Sequence, residues 1–257
     1  MVGMLSLKEK TLFMNFSSLL AIALILITAY GVYEYVRIVP LVRASKELPK
    51  TIGETNRDTA ATRSLLVLGD STAVGVGTES KFSVPERVAS SIGASVENRA
   101  RSGARTEELL SQLAAAEHDS YDLILIQAGA NDVIFFESLS EAERYMNTLL
   151  TQAQKLSDRV VVLTAGRIGD APLFPYIARP ILNIRAANLR KRFSELSKMH
   201  SAEYVDLYKL PSPFGSNPEK YYAPDFLHLS AEGYEVWALY VNEAAQARWP
   251  ELYASQQ

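Results

Sequence analysis

The residues whose types and spacing could do chemistry lie in four short stretches of this 257-residue chain. Gly69-Asp70-Ser71 closes the apolar run of LLVLGDSTAVGVGT. A glycine before a serine permits a tight turn that lifts the hydroxyl above a sheet edge. Asp225 and His228 stand three apart in APDFLHLS. That spacing lets a carboxylate reach back to the imidazole, fixing its tautomer and stabilising its protonated form. Asn131 follows Gly129 and Ala130 in ILIQAGANDVIFF, and its side-chain NH₂ is a fixed donor suited to a developing oxyanion. Gly103, in NRARSGART, precedes a helical run, where its N–H could donate into a shared pocket. Each piece alone also has an ordinary structural reading, as a turn, a cap or a loop glycine.

Other chemistries find little support. The chain has no cysteine, which excludes disulfides, thiol nucleophiles and thiolate metal sites. Its three histidines, His118, His200 and His228, are too few for a metal site built on several imidazoles. No D-x-D-x-D-G cation loop occurs, and Gly69, Gly75 and Gly77 fit neither phosphate-loop fingerprint. His118 and His200 sit among polar helical residues with no obvious partner and read as structural. A formal charge of -3, with basic residues dispersed along the chain, gives no reason to expect nucleic acid.

The elements that must position these residues alternate. Strands are predicted at Leu65–Leu68, Ser95–Asn98, Leu123–Gln127, Arg159–Thr164 and Glu203–Leu207. Helices are predicted at Val84–Ile92, Thr106–Glu117, Ser140–Leu156, Ile181–Met199 and Ser230–Arg248. Strands apolar on both faces and separated by helices imply a parallel sheet covered on both sides, a three-layer α/β domain. Ligands of such sheets bind beyond the carboxyl ends of the strands, where the four stretches fall.

The first part of the chain is different. Leu12–Tyr33 carries no charge and is long enough to cross a hydrocarbon core of roughly 30 Å. It reads as an uncleaved membrane helix, with a signal peptide cut near Ala29 or Gly31 as the lesser reading. Lys8 and Lys10 precede it, and Arg37, Arg43, Lys46 and Lys50 follow, which leans weakly toward a cytoplasmic domain and leaves the side open. The expected organisation is an anchor over 1–36, a polar linker over 37–63 that stands the domain off the membrane, and one catalytic domain over 64–257.

Together the four stretches resemble the blocks of the SGNH (GDSL-type) hydrolase family: a serine in G-D-S, a glycine, an asparagine in G-x-N-D and D-x-x-H near the C-terminus. Here they are Ser71, Gly103, Asn131 and Asp225/His228, in family order over about residues 64–245, with GDST in place of GDSL. The resemblance implies a flavodoxin-like sheet (the SGNH hydrolase fold) and acyl transfer without metal or organic cofactor. It implies Ser71 as nucleophile, His228 as general base, Asp225 as its orienting carboxylate, and an oxyanion hole from the N–H groups of Ser71 and Gly103 with the Asn131 amide. The expected reaction is hydrolysis of carboxylic esters. Phe135, Phe136, Phe174 and Tyr176 should lie at the site edge and could form an apolar acyl pocket or, equally, pack the core of a lid. Lipid or acyl esters are preferred as substrates partly because the enzyme would sit at a membrane. The alternatives are a carbohydrate O-acetyl esterase or acyltransferase on the same scaffold, or a silent membrane-tethered binding module. The expected partners are therefore an ester and a membrane.

Overall fold

A computed structural model describes residues 7–48 and 61–254, with side chains from residue 16 onward. The chain opens with one long helix, α1 (Leu7–Glu47). Strand β1 (Arg63–Gly69) leads into a four-residue helix α2 (Ser71–Val74), then α3 (Val84–Ile92) and β2 (Ala94–Asn98). The following units are α4 (Leu109–Ala114), β3 (Leu123–Gln127), α5 (Ala130–Ile134), α6 (Leu139–Ala153), β4 (Val160–Leu163), α7 (Arg179–Met199) and β5 (Glu203–Val205). Helices α8 (Pro218–Tyr221) and α9 (Ala231–Arg248) close the order.

The five strands form one parallel sheet in the order β2-β1-β3-β4-β5. Alternation along the central strands builds two cores. Leu66, Leu68, Ile124 and Ile126 face the layer that carries α4, α6 and α7. Leu65, Val67, Leu123 and Leu125 face the layer of α3 and α9. This is the expected three-layer architecture. Serines begin three of its helices as N-caps: Ser83 accepts from Glu86 N, Ser138 from Glu141 N and Ser230 from Gly233 N. The helix expected over Thr106–Glu117 begins as a 3-10 turn at Thr106–Glu108 and is α-helical only over Leu109–Ala114. The Thr106 N–H and hydroxyl, free of intrahelical partners, both bond to Asp132.

The chain order runs outward from β1 to β2 on one side and from β3 to β4 and β5 on the other. The reversal between β1 and β3 opens a crevice at their carboxyl ends, the position that binds ligands in open α/β sheets. Ser71 follows β1 and Asn131 follows β3, so both open onto that crevice.

The expected linker needs correction. Residues from Arg37 to Glu47, read as its start, continue α1 as helix, and residues 49–60 lie outside the described residues. The helical part does not stand the domain off. Glu34 and Leu48 are buried and Arg37, Ile38, Leu41, Ala44 and Ser45 are half-buried, a stripe at the three- and four-residue spacing of one helix face. Leu48 packs against Val74, Val76 and Ala223. The stripe escapes a search for a hydrophobic period because Glu34, Arg37 and Ser45 interrupt it. From Phe16 to Tyr33, in contrast, every side chain is exposed.

Candidate functional site

Ser71 begins α2 at the end of β1, and the turn that presents it is held from several sides. A Cβ on Gly69 would lie 2.3 Å from the Gln127 carbonyl oxygen, so only glycine fits there. The Gln112 side chain, buried, accepts from Gly69 N at 2.8 Å and donates to Gly69 O at 2.9 Å, clamping that peptide. Asp70 caps α2 by accepting from Thr72 N and Thr72 Oγ1. Asn98, at the end of β2, donates to Ala73 O. Gln112 and Asn98 carry no spacing signal in the sequence, since only the packed sheet brings them to the turn.

His228 lies in the loop between α8 and α9. Its Nε2 is 3.1 Å from Ser71 Oγ, and its Nδ1 is 2.6 Å from Asp225 Oδ2. Asp225 is fully buried, and its other oxygen accepts from the backbone N–H groups of Leu227 and His228, both at 3.0 Å. Burial alone would raise this carboxyl, but the hydrogen bonds and charge of His228 and the two backbone donors outweigh it and hold it below its ordinary value. Asp70 goes the other way. Burial dominates and pushes it up to about 6, despite the two bonds from Thr72. Ser71, His228 and Asp225 thus form one hydrogen-bonded chain from an accessible hydroxyl to a buried carboxylate. Such a chain can draw a proton from the hydroxyl and stabilise the imidazolium that results.

Gly103 and Asn131 line the same cavity as Ser71 and His228. Gly103 has φ +84°, and a Cβ there would meet open space, so the conformation rather than crowding favours glycine. Asn131 Nδ2 donates to Ala104 O at 2.9 Å. Its neighbour Asp132, buried, accepts from Thr106 N and Oγ1. These bonds tie the loop carrying Gly103 to the start of α5. Burial raises Asp132, with the Thr106 bonds opposing it.

The cavity measures about 710 Å³ and extends away from Ser71 toward α9. Phe135 lines it, but Phe136, Phe174 and Tyr176 do not. Phe174 packs against the core beside α7. The loop that carries it and Tyr176 is drawn aside: Arg37 donates to the carbonyls of Pro172, Leu173 and Phe174, and Arg179 to those of Pro172 and Phe174. The apolar walls come instead from Leu207, Leu210, Phe214, Tyr222, Trp237 and Tyr240. Those residues follow β5 or lie on α9, where the sequence reads as loop and amphipathic helix. His200 bonds to Asn147 and Gln154, and His118 stacks edge-on against Tyr121, both remote from the cavity. Among the described residues no cluster of three or more metal-ligating side chains occurs.

A serine, a histidine and a buried aspartate in one hydrogen-bonded chain, at the crest of a five-stranded parallel sheet, define an α/β enzyme with an activatable serine. The chain belongs to the GDSL-like lipase/acylhydrolase family, whose model matches residues 67–236, and it is a hydrolase of that ester-cleaving class. Solved structures agree on the fold. Phospholipase A1 from Streptomyces albidoflavus is 18% identical with a TM-score of 0.54, covering 72% of this chain and 100% of its own. A G-D-S-L family lipolytic protein from Veillonella parvula is 16% identical with a TM-score of 0.57, covering 70% of this chain and 96% of its own. The acetylxylan esterase Axe2 from Geobacillus stearothermophilus is 16% identical with a TM-score of 0.54, covering 72% and 94% respectively. No curated protein matches the sequence.

Proposed function

We propose that this protein is a membrane-anchored serine esterase that cleaves lipid or other long acyl esters through an acyl-enzyme on Ser71. The observation that carries the reading is the Asp225–His228–Ser71 chain opening onto a large, mainly apolar cavity. His228 Nε2 takes the Ser71 proton as Oγ attacks the ester carbonyl, and returns it to the leaving alcohol. Asp225 holds the Nδ1–H tautomer and balances the imidazolium charge. Oxyanion stabilisation falls to the N–H groups of Ser71 and Gly103 and to Asn131. One Asn131 amide hydrogen is fixed on Ala104 O, and the second is the one left to donate to the oxyanion. Water then attacks the acyl-enzyme by the same base, so the cycle closes without a cofactor.

Cavity shape supports a long acyl group over an acetyl group. About 710 Å³ walled by leucine and aromatic side chains would leave an acetyl group mostly unsupported. An O-acetyl esterase or acyltransferase on the same scaffold would suit a short, polar pocket better. The anchor is read from α1, where Phe16–Glu47 includes a stretch long and apolar enough to cross a bilayer. The test is hydrolysis of p-nitrophenyl esters of graded chain length by the native chain and by Ser71→Ala. Turnover should be greatest on medium or long acyl chains and abolished by the substitution. A preference for acetate alone would favour the acetyl-esterase reading.

A further inference from the structure

An apolar surface runs from α1 to the mouth of the cavity. Ile177, in the turn before α7, and Ile181 and Ile184, in its first turns, are 74%, 51% and 62% exposed; the latter two share a helix face opposite the buried Leu182, Ala186 and Leu189. Arg185 stacks over the ring of Phe136, which is itself 58% exposed, and Phe135 follows on to the cavity wall. Phe136 has φ +58°, a left-handed conformation rare for a bulky L-residue. It is held there by Arg185, which donates to the carbonyls of Asp132, Val133 and Glu137 on either side. A strained backbone that keeps a phenylalanine facing outward does not serve the core.

The position of α1 indicates what covers this surface. The Tyr30 hydroxyl lies 3.4 Å from Ile177 N, and Arg37 grips the carbonyls of residues 172–174. The apolar run from Leu12 to Tyr33 rises roughly 32 Å, one hydrocarbon thickness, so Tyr30–Arg37 falls at its boundary. Tyr30, Tyr33 and Tyr35 cluster there, as interfacial tyrosines do. Ile177 is thereby fixed at the same level, and Ile181 and Ile184 follow within about 10 Å along α7. Guanidinium groups rim the patch: Arg105 over Phe135, and Arg179 and Arg37 over Tyr176. Apolar side chains edged by arginine match a boundary of acyl chains and phosphate headgroups.

We infer that Ile177, Ile181, Ile184 and Phe136 are seated in the bilayer interface, so that the cavity mouth at Phe135 opens onto the lipid surface and takes its ester from it. This rests on reading α1 as a membrane anchor. It assigns the juxtamembrane part of α1 a task beyond tethering, that of fixing the angle and depth at which the site meets the membrane.

The chain has no cysteine, so single-cysteine variants can be labelled cleanly. The full chain carrying Ile177→Cys, Ile181→Cys or Ile184→Cys is labelled with an environment-sensitive fluorophore. It is then reconstituted in phosphatidylcholine vesicles containing phosphatidylglycerol. Met199→Cys, 75% exposed at the far end of α7, is the reference. The three isoleucine positions should be quenched several-fold more by acyl-chain nitroxides than by aqueous iodide, and Met199 the reverse. Labels at the three positions that behave like Met199 overturn the proposal. So does shielding from both quenchers, which would mean that protein covers the patch. In a second measurement, the Ile181→Asn/Ile184→Asn pair should lower turnover of vesicle-borne esters about fivefold or more and leave a dissolved short ester unchanged. Equal turnover on both overturns it as well. Release of the full chain by carbonate would remove the anchor reading and this proposal together, whereas failure of the Ser71 chemistry would abolish turnover of the dissolved and the vesicle-borne ester alike.

Discussion

At the scale of single residues, the proposed site rests on Ser71 as nucleophile, His228 as base and buried carboxyls of opposite behaviour. Ser71→Ala or His228→Ala should cut esterase turnover by a factor on the order of 10³ or more with the fold intact. A Ser71→Ala protein that kept most of its activity would refute the assignment. Asn131→Ala should lower kcat by roughly 10²–10³ with little change in KM, since an oxyanion donor acts mainly in the transition state. A raised KM at constant kcat would make Asn131 a ground-state contact instead. Asp225, held below its ordinary value, adds stability that is present above its unfolded pKa and lost as pH falls through the folded one. Asp70 has the opposite sign. Raised from 3.8 to about 6, it favours the fold fully below its unfolded value, and that contribution is lost as pH rises through about 6. The stability of Asp70→Asn relative to the native chain should therefore climb between about pH 4 and pH 7, by on the order of 2–3 kcal/mol. Denaturant titrations at several pH values would show this, and a difference constant with pH would mean that burial does not raise Asp70.

At the scale of elements, the four chemical stretches are brought together by topology. The β1/β3 reversal sets Ser71 beside Asn131, and the Asn131–Ala104 and Asp132–Thr106 bonds bring the Gly103 loop to the same crevice. The loop after β5 and the first half of α9 then supply the apolar wall of the cavity, proposed to hold the acyl group. Leu210, half-buried on that wall, can be enlarged without touching the hydrogen-bonded chain. Leu210→Trp should raise KM for long acyl esters about tenfold and leave acetate hydrolysis near its native rate, because one or a few methylenes of lost pocket carry that much discrimination. Chain-length profiles that fail to shift would place the acyl group elsewhere.

At the scale of the whole molecule, the proposed anchor α1 also packs against the domain. Uncovering Leu48 and the Val74–Val76–Ala223 patch costs about 2 kcal/mol by buried apolar area. A chain beginning at Ala61, which keeps all of β1, should thus melt roughly 4–8 °C below one beginning at Gly31, which keeps the packed stripe. Both should hydrolyse dissolved short esters, since neither loses a residue of the site. Calorimetry on the two chains decides this, and equal melting temperatures would mean that the stripe contributes nothing. The full chain should remain with membranes through a carbonate wash.

Much of this was legible in the sequence, and for a common reason. Strand and helix positions follow from local period and capping, and all five strands fall within a few residues of their predicted spans. That Ser71, Asp225 and His228 are candidates was readable because each sits beside a short-range partner, a turn glycine or a carboxylate three residues away; that they meet in one hydrogen-bonded chain is what the structure adds. The apolar cavity wall was not readable, because Leu210, Trp237 and Tyr240 look like any amphipathic run until the sheet brings them to one cavity. Phe136, Phe174 and Tyr176 looked like that wall, but Arg185, Arg179 and Arg37 turn them elsewhere through contacts up to 137 positions distant. The stripe from Glu34 to Leu48 was hidden too, since a helix face that meets backbone carbonyls is satisfied by Arg37, itself held by Glu34, and leaves no apolar period. Local chemistry is written in neighbouring residues. Which surfaces meet is settled only when distant segments pack.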